Sequence, residues 1–201
     1  MQHTSKIVLA SGNPGKLREF QALFNGSGIE LLAQSAFKVP SIEETGLSFV
    51  ENALLKARNA ALNTGLPALA DDSGIEVDAL RGAPGIYSAR YAGNNAGDDA
   101  NNRKLLTELA QTPDAERGAR YQCVIVYLRH AYDPMPVICQ GTWEGVIAHG
   151  YKGAGGFGYD PLFYLPEYGC TAAELTAEEK NRISHRGQAT RALREWFLAH
   201  A

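Results

Sequence analysis

Cysteine, excess charge of one sign and long hydrophobic runs are all scarce in this sequence. It has three cysteines, Cys123, Cys139 and Cys170, which are far apart and outside any C-x-x-C spacing, so neither a disulfide framework nor a zinc cluster is indicated. Lys and Arg total 19 against 22 Asp and Glu, a net charge of −3. This balance argues against a protein that binds nucleic acid through a concentrated basic surface. We therefore expect reduced core cysteines, no nucleic-acid partner and a small-molecule ligand.

The N-terminal apolar run is short. Lys6 is the only Lys or Arg before the apolar run at residues 7–10. This run is too short for a signal peptide or a membrane span. The chain has 201 residues, 45% of them hydrophobic, and a chain of this length can bury a sizeable core without disulfides or a structural metal. We see no linker or internal repeat. These features predict a soluble cytoplasmic protein without a membrane partner, forming a single domain over residues 1–201.

Strand-like and helix-like segments alternate along the chain. Apolar runs and period-two alternation predict strands, whereas apolar residues at helical spacing predict helices. The predicted strands are residues 6–10, 68–70, 75–79, 121–128 and 137–147, and the predicted helices are residues 17–24, 50–57, 98–109 and 189–197. The pattern Thr176-x-x-Glu179 resembles a helix capping box. This interleaving predicts an α/β fold with a largely mixed sheet.

The first strand is followed by a loop of small residues. The loop consists of Ser11, Gly12, Asn13, Pro14, Gly15 and Lys16. Main-chain N–H groups, the positive end of the helix dipole and a first-turn lysine all favour a phosphate there. The loop is not a Walker A motif, because the glycine spacing is too short and Leu17 follows the lysine. The alternative is an ordinary turn with a solvated lysine.

A second glycine-rich loop, residues 153–158, matches G-x-G-x-x-G literally. Pro161 follows closely, so the loop does not open a helix as a dinucleotide-binding fingerprint must. We interpret it as a flexed loop that presents Phe157, Tyr159 and Asp160 to a planar ligand. The alternative is a β-turn with Phe157 in the core.

Two acidic pairs are candidate metal ligands. Asp71 and Asp72 end the predicted strand at residues 68–70, and Glu43 and Glu44 lie in a polar loop before the second helix. One carboxylate from each pair could share a Mg²⁺, which commonly uses one or two carboxylates plus substrate phosphates. Adjacent residues on an extended chain point in opposite directions, so the sequence does not choose between Asp71 and Asp72. Solvated turns are the alternative for each pair.

A cationic cluster precedes the closing helix. Lys180, His185 and Arg186 could neutralise a polyphosphate, and Arg186 or the nearby main chain could donate to a base carbonyl. His185 could add stacking or a hydrogen bond. The alternative is a hydrated segment at the start of a helix.

Taken together, these motifs resemble the inosine/xanthosine triphosphate pyrophosphatase family. The segments that carry the resemblance are SGNPGK (11–16), EETG (43–46), FVENALLKA (49–57), ADDSG (70–74), GAPGIYSARYAG (82–93), GGFGYDP (155–161), TAAEL (171–175), EEKN (178–181) and SHRGQA (184–189). They keep the family's order and span essentially the whole chain. The family's fold is α/β, with a long central mixed sheet flanked by helices and a cleft between two lobes, and its members are usually homodimers.

The resemblance also implies roles for individual residues. Asp72 would be the metal-bound proton acceptor, Glu44 would complete the Mg²⁺ site, and Ser73 would lie on the substrate. The phosphate contacts would be residues 11–16 and Lys56. The base, sugar and phosphates would be enclosed by Phe157, Gly158, Tyr159, Asp160, Lys180, His185 and Arg186. Many relatives have threonine where Ser11 stands, and the hydroxyl is retained.

The implied reaction is Mg²⁺-dependent hydrolysis of non-standard purine nucleoside triphosphates (ITP, dITP and XTP) to the monophosphate and pyrophosphate. It would clear deaminated purines before their incorporation into DNA and RNA. Lysines, an arginine and carboxylate-bound metal suit phosphoryl transfer, which needs positioning and charge neutralisation. Two other classes stay open at this point: a nucleotide-binding module without turnover, and an ATP-using phosphotransferase, which the missing Walker A pattern disfavours.

Overall fold

Seven strands form one mixed sheet in the computed structural model, which describes residues 5–200. The strands, in chain order, are β1 (Ser5–Leu9), β2 (Ile29–Ala33), β3 (Ala68–Val77), β4 (Gly118–Leu128), β5 (Val137–Ile147), β6 (Phe163–Leu165) and β7 (Cys170–Thr171). Their order in the sheet is β2-β1-β3-β4-β5-β6-β7. β1 pairs in parallel with β2 and β3, whereas β6 is antiparallel to β5 and β7. The predicted α/β class with a mixed sheet is confirmed.

Five α-helices accompany the sheet within the described range. They are α1 (Pro14–Phe24), α2 (Phe49–Thr64), α3 (Asp98–Glu108), α4 (Ala177–Ile183) and α5 (His185–Ala199). The capping box before α4 is confirmed, since Thr176 Oγ1 accepts from Glu179 N and the Glu179 carboxylate accepts from Thr176 N. In this part of the chain, no helix is both long enough and apolar enough to cross a membrane. Met1 to Thr4, part of the N-terminal segment assessed above, and Ala201 of the expected 1–201 domain lie outside the described residues.

The chain divides into two compact units. Within the described range, the first unit comprises residues 5–72, Cys123–Gly141 and residues 186–200, and the second unit comprises Ser73–Gln122 and Thr142–His185. The boundaries fall within β3, β4 and β5 and directly after the first residue of α5.

In the first unit, both faces of the inner end of β1 are buried. In β1, Ile7 and Leu9 belong to one apolar cluster with Phe20, whereas Val8 belongs to another with Ala57 of α2. Successive side chains of a strand point to opposite faces, so a strand covered on both sides must be apolar throughout. This requirement explains the continuous apolar run that predicted β1.

The second unit has its own apolar cluster. Ile75 and Tyr121 from the sheet pack with Leu105 of α3, Trp143 of β5 and Phe163 of β6. All three cysteines are free thiols. Cys123 and Cys139 lie in the apolar cluster of the first unit, as expected, whereas Cys170 is half-buried at β7 and is not the core residue that we predicted.

Strand β3 differs from the prediction. The sequence pattern placed a break at the acidic pair, but the strand runs without interruption from Ala68 to Val77. The prediction was wrong because it treated Asp71 and Asp72 as too polar for the interior of a strand. Both are buried, and ion pairs with lysines compensate their charges. The edge strand β2 carried no signal that we identified in the sequence.

Asp133, in the loop between β4 and β5, should stabilise the first unit in a pH-dependent way. Its buried carboxylate accepts from the main-chain N–H groups of Arg129 and Met135 and from the Arg129 guanidinium. These hydrogen bonds, first of all those from the Arg129 side chain, hold the pKa of Asp133 below its usual range. We expect Asp133→Asn to lower the free energy of unfolding by about 2 kcal/mol at neutral pH.

The stabilisation by Asp133 should disappear in acid. A lowered folded-state pKa stabilises the fold above the ordinary carboxyl pKa of about 4, and this contribution is lost as the pH falls through the lowered value. Urea denaturation at neutral pH and below about pH 4 measures the effect. The exposed Glu167, replaced by glutamine, controls for surface charge. A gap between Asp133→Asn and the parent protein that stays constant with pH would contradict the assignment.

Candidate active site

The loop at residues 11–16 ends at the start of α1. Asn13 is the N-cap residue, and its Oδ1 accepts from Gly15 N at 2.8 Å and Lys16 N at 3.1 Å, while Pro14 occupies the first helical turn. Ser11 Oγ accepts from Asn13 N at 3.2 Å. The cap therefore uses two of the N–H groups that the sequence analysis assigned to phosphate. The helix dipole and the Lys16 ammonium group remain to attract an anion.

Gly12 lies at the exposed part of this loop. A side-chain carbon at this position would meet no atom within 4 Å. The main chain here is thus open to a ligand, whereas Gly15 is buried.

Asp71 is fully buried between two cations of the first unit. Its Oδ1 lies 3.1 Å from Lys16 Nζ, and its Oδ2 accepts from Arg186 Nη2 at 3.1 Å. Burial alone would raise the pKa of Asp71, but Lys16 and Arg186 outweigh it and hold the pKa well below the usual range. Asp71 is therefore an ionised carboxylate committed to fixing the positions of two cations.

Glu19 completes this network, and the sequence analysis did not identify it. Its carboxylate accepts from Arg186 Nη1. Glu19 lies three residues after Lys16 on α1, a spacing that puts both side chains on one face of the helix. Arg186 is 2% exposed, and its guanidinium donates to both Glu19 and Asp71. This spacing is the signal that could have indicated Glu19.

Lys56, in α2, joins the two predicted metal ligands. Its Nζ donates to Asp72 Oδ1 at 2.6 Å and lies 3.0 Å from Glu44 Oε1. Burial alone would lower the pKa of Lys56, but the carboxylates of Asp72, Asp71 and Glu44 raise it above its ordinary value. At Asp72 the opposite balance holds: burial raises the pKa more than the positive charges of Lys56 and Lys16 lower it, so the pKa lies above its ordinary value. The structure thus brings Asp72, Glu44 and Lys56 together.

The same carboxylates fit a magnesium ion. Asp72 Oδ2 is buried and, among the described residues, has no hydrogen-bond partner, so one carboxylate oxygen is available for a ligand. The described residues contain no cluster of three or more His, Cys, Asp or Glu suited to a metal. Mg²⁺ suits such a site, because it is commonly held by one or two carboxylates plus water and substrate phosphates.

The loop that carries Glu44 is fixed against α2. Gly46 N donates to Asn52 Oδ1 at 2.8 Å, and a side-chain carbon at Gly46 would lie 2.5 Å from Glu51 Cβ. Only glycine allows this close approach. Glu43 is exposed and Glu44 is half-buried, so the structure favours Glu44 as the member of this pair that belongs to the cluster.

In the second unit, Asp160 organises the glycine-rich loop. Its Oδ2 accepts from Phe157 N at 2.9 Å and from Lys180 Nζ at 2.6 Å. Lys180 Nζ also lies over the Phe157 ring, 4.8 Å from its centroid. A side-chain carbon at Gly156, where φ is +73°, would lie 1.9 Å from Asp160 Oδ2. The Asp160 carboxylate therefore occupies the space that a side chain at Gly156 would need, and it holds the loop in place.

Helix α3 holds the next residue of this loop. Gly158 N donates to Asp98 Oδ2 at 2.6 Å, and Gly158 O accepts from Asn102 Nδ2 at 2.8 Å. Tyr159 is buried, and its hydroxyl donates to Ser88 O at 2.8 Å. Phe157 is the half-buried aromatic ring of the loop. Of the predicted residues, Phe157 and Gly158 are thus the better placed to meet a planar ligand.

His185 lies in an aromatic stack that the sequence analysis did not predict. Its ring is nearly parallel to that of Tyr121, with centroids 4.6 Å apart and an interplanar angle of 5°, and Trp143 lies 6.2 Å away. Tyr121 also donates to Asp160 Oδ1 at 3.3 Å. Burial, then the negative charge of Asp160, raises the pKa of Tyr121 well above its usual value, so the phenol is neutral. Ser73, the remaining predicted residue, is half-buried on β3.

Known proteins similar to this chain share a common name. The chain is 64% identical over 190 residues to the dITP/XTP pyrophosphatase of Thioalkalivibrio sulfidiphilus, covering 94% of this chain and 97% of that protein. It is 61% identical over 188 residues to the dITP/XTP pyrophosphatase of Pectobacterium atrosepticum, covering 94% and 95%.

Solved structures agree with this comparison. A HAM1 protein from Coxiella burnetii superposes with a TM-score of 0.90 at 52% identity, over 98% of this chain and all of that chain. A nucleoside-triphosphatase / dITP/XTP pyrophosphatase from Mycobacterium abscessus gives a TM-score of 0.73 at 44% identity, over 94% and 97%. The sequence pattern of the Ham1 family matches residues 7–196. With this match and relatives above 60% identity, the chain belongs to the Ham1 family.

Proposed function

We propose that this protein hydrolyses ITP, dITP and XTP to the nucleoside monophosphate and pyrophosphate, with Mg²⁺ as cofactor. The observation that carries the proposal is the convergence of Asp72 and Glu44 on Lys56 Nζ, with a buried Asp72 oxygen available for a ligand. The names of the relatives, dITP/XTP pyrophosphatases at 60–64% identity, support the substrate class. Removal of these nucleotides would keep deaminated purines out of DNA and RNA.

The first unit would perform the chemistry. We assign the triphosphate to residues 11–16 and to Lys56. The positive charges of Lys16 and Lys56 would offset the negative charges of the phosphates. Asp72 would accept a proton from the water that attacks the α-phosphorus. Asp71 would orient Lys16 through the ion pair described above. These residues supply positioning and charge balance, which are what phosphoryl transfer requires.

Asp72 and Glu44 would hold the metal. When bound, Mg²⁺ neutralises phosphate charge and polarises the phosphoryl oxygens. Lys56, which contacts both carboxylates, would bind a phosphate oxygen beside them.

The second unit would bind the purine. Phe157 offers a ring face for stacking, and Gly158, held by Asp98 and Asn102, would line the pocket beside it. Asp160 holds Phe157 through its main-chain N–H, and Lys180 lies over its ring. His185 would contact the base. Ser73 would contact the substrate next to Asp72. The assignments of Tyr159 and Lys180 to substrate, made by resemblance, stay predictions.

Location and assembly follow from the family resemblance. We propose a cytoplasmic homodimer built from one domain per chain, with two lobes. Light scattering of the purified protein, which measures its mass in solution, tests the dimer.

Separate measurement of pyrophosphate and orthophosphate tests the proposed reaction. The protein is incubated with ITP and Mg²⁺, and we expect one pyrophosphate and one IMP per ITP consumed, with no direct release of orthophosphate. Chelation of the metal should abolish the activity. Orthophosphate release would indicate a phosphatase or phosphotransferase, and tight binding without any product would indicate a nucleotide-binding module.

Gly46→Ala should weaken metal binding without touching a ligand. The new methyl group would collide with Glu51 and Asn52, which forces the loop away from α2 and displaces Glu44. Loss of a group that supports a metal ligand typically costs about 10- to 100-fold in metal affinity. We expect the Mg²⁺ concentration for half-maximal activity to rise about tenfold, as measured by titration at saturating ITP.

Gly150→Ala is the matched control. A side-chain carbon at Gly150 meets no atom within 4 Å, so its Mg²⁺ titration should match that of the parent protein. An unchanged titration for Gly46→Ala would remove Glu44 from the proposed metal site.

A further inference from the structure

Tyr121 contacts two residues that the proposed function places in the base subsite. It lies on β4, and its residue surface is 7% exposed. One face of its ring stacks on His185, and its hydroxyl donates to Asp160 Oδ1. A single side chain of the second unit thus links the first residue of α5 to Asp160, which holds the glycine-rich loop.

The two contacts of Tyr121 differ in quality. The stack on His185 is close to ideal, with centroids 4.6 Å apart and planes 5° from parallel. The hydroxyl contact with Asp160, at 3.3 Å, is long for an O–H···O hydrogen bond. Asp160 is held more tightly by Lys180 Nζ at 2.6 Å. The ring therefore contributes more to positioning than the hydroxyl does.

The ring of Tyr121 is itself fixed by its neighbours. Phe163 packs edge-on against it, with centroids 4.7 Å apart at 61°, and Trp143 lies 6.3 Å away at 23°. Because all three rings belong to the apolar cluster of the second unit, Tyr121 transmits the rigidity of that core to His185. Loss of the stack would remove this restraint on the imidazole, and the cost of ordering it would then reduce the affinity for the base.

We propose that Tyr121 is a positioning residue for purine recognition: its ring holds the His185 imidazole in the orientation that meets the base, without itself contacting substrate. This inference rests on the proposed function of the second unit. It assigns Tyr121 no part in phosphate binding or in the chemistry, both of which belong to residues of the first unit.

The test separates the ring from the hydroxyl and the base from the phosphates. Tyr121→Leu removes the stack. From the usual energy of a stacked aromatic pair, we expect this loss to raise KM for ITP by about 3- to 10-fold and to leave kcat within about twofold of the parent value. The inhibition constant of IMP should rise in parallel, whereas that of pyrophosphate, which has no base, should not change. Tyr121→Phe keeps the stack and should restore the parent KM. If Tyr121→Leu does not fold, Tyr121→Met, which fills the space with a flexible chain, carries the same expectation.

Leu109→Ala is the control for packing. Leu109 is buried in the same apolar cluster but belongs to no ring of the stack, so this variant should lower the melting temperature and leave KM for ITP unchanged. Equal KM values in Tyr121→Leu and the parent protein, or an equal rise in Leu109→Ala, would overturn the proposal and leave Tyr121 a core residue. A rise in Tyr121→Phe as large as in Tyr121→Leu would also overturn it.

Direct binding distinguishes this inference from the proposed function. If the parent protein binds ITP and releases no pyrophosphate, the proposed reaction is wrong, and the dissociation constants of ITP for the Tyr121 variants still decide the inference. If the parent protein binds neither ITP nor IMP, both are wrong.

Discussion

Asp72→Asn is expected to lower kcat for ITP by at least about 10²- to 10⁴-fold, the usual contribution of a positioned general base, with loss of the metal ligand adding to the effect. The amide neither accepts a proton at neutral pH nor offers an anionic oxygen to Mg²⁺. Steady-state pyrophosphate release at saturating ITP and Mg²⁺ measures the change.

The fold should survive this substitution. Burial raises the pKa of Asp72 despite Lys56 and Lys16, so folding does not stabilise the ionised form of Asp72 relative to the neutral form. A neutral amide of the same shape should therefore lower the melting temperature only slightly, since Lys56 keeps its contact with Glu44.

Asp71→Asn provides the comparison within the pair. Asp71 holds Lys16 and Arg186 in a buried network, and breaking a buried ion pair is strongly destabilising. We expect a lower melting temperature as its main effect. A nearly normal kcat in Asp72→Asn together with an inactive but fully stable Asp71→Asn would reverse the two assignments.

The second large effect is selectivity for 6-keto purines. Hypoxanthine and xanthine present a hydrogen-bond acceptor at position 6, whereas adenine presents an amino donor there. A site that aims donors at this position rejects adenine by up to about 10⁴-fold, while stacking on Phe157 accepts any purine. We therefore expect kcat/KM for ITP, dITP and XTP to exceed that for ATP by at least about 100-fold.

The structure narrows the choice of donor. The Arg186 guanidinium donates to Asp71 and Glu19, so it is less suited to the base than the sequence analysis allowed. Helix α5 begins at His185, and main-chain N–H groups of a first helical turn point along the helix axis toward a ligand. Near Asp160, the main-chain N–H groups of Phe157 and Gly158 donate within the protein, so we expect main-chain donors at the start of α5 to bind the 6-keto oxygen.

A panel of triphosphates at equal Mg²⁺ concentration measures this selectivity. Guanine also has a 6-keto group, so its exclusion must depend on its 2-amino group, and we expect GTP to be disfavoured to a similar degree. Comparable hydrolysis of ATP and ITP would contradict the assignment and would indicate a general nucleotide pyrophosphatase.

Local patterns alone predicted much of this protein. The apolar run of β1, the helical spacing in α2 and the capping box before α4 all depend on residues within one or two turns of each other, so the chain itself encodes them. The same holds for the loop at residues 11–16, whose small residues and following helix are contiguous. The family resemblance rests on the order of such local motifs.

The tertiary structure decided which distant groups meet. Arg186 binds Glu19 and Asp71 across 167 and 115 residues of sequence, and the stack of Tyr121 on His185 joins β4 to the start of α5. Alternation along β3 requires Asp71 and Asp72 to point in opposite directions. The packing of α1 against one face and α2 against the other determines that Asp71 meets Lys16 and Asp72 meets Lys56. Periodicity indicates which faces of a strand are buried. It does not indicate which charged side chain of another element lies against each face, because that depends on how separate elements pack.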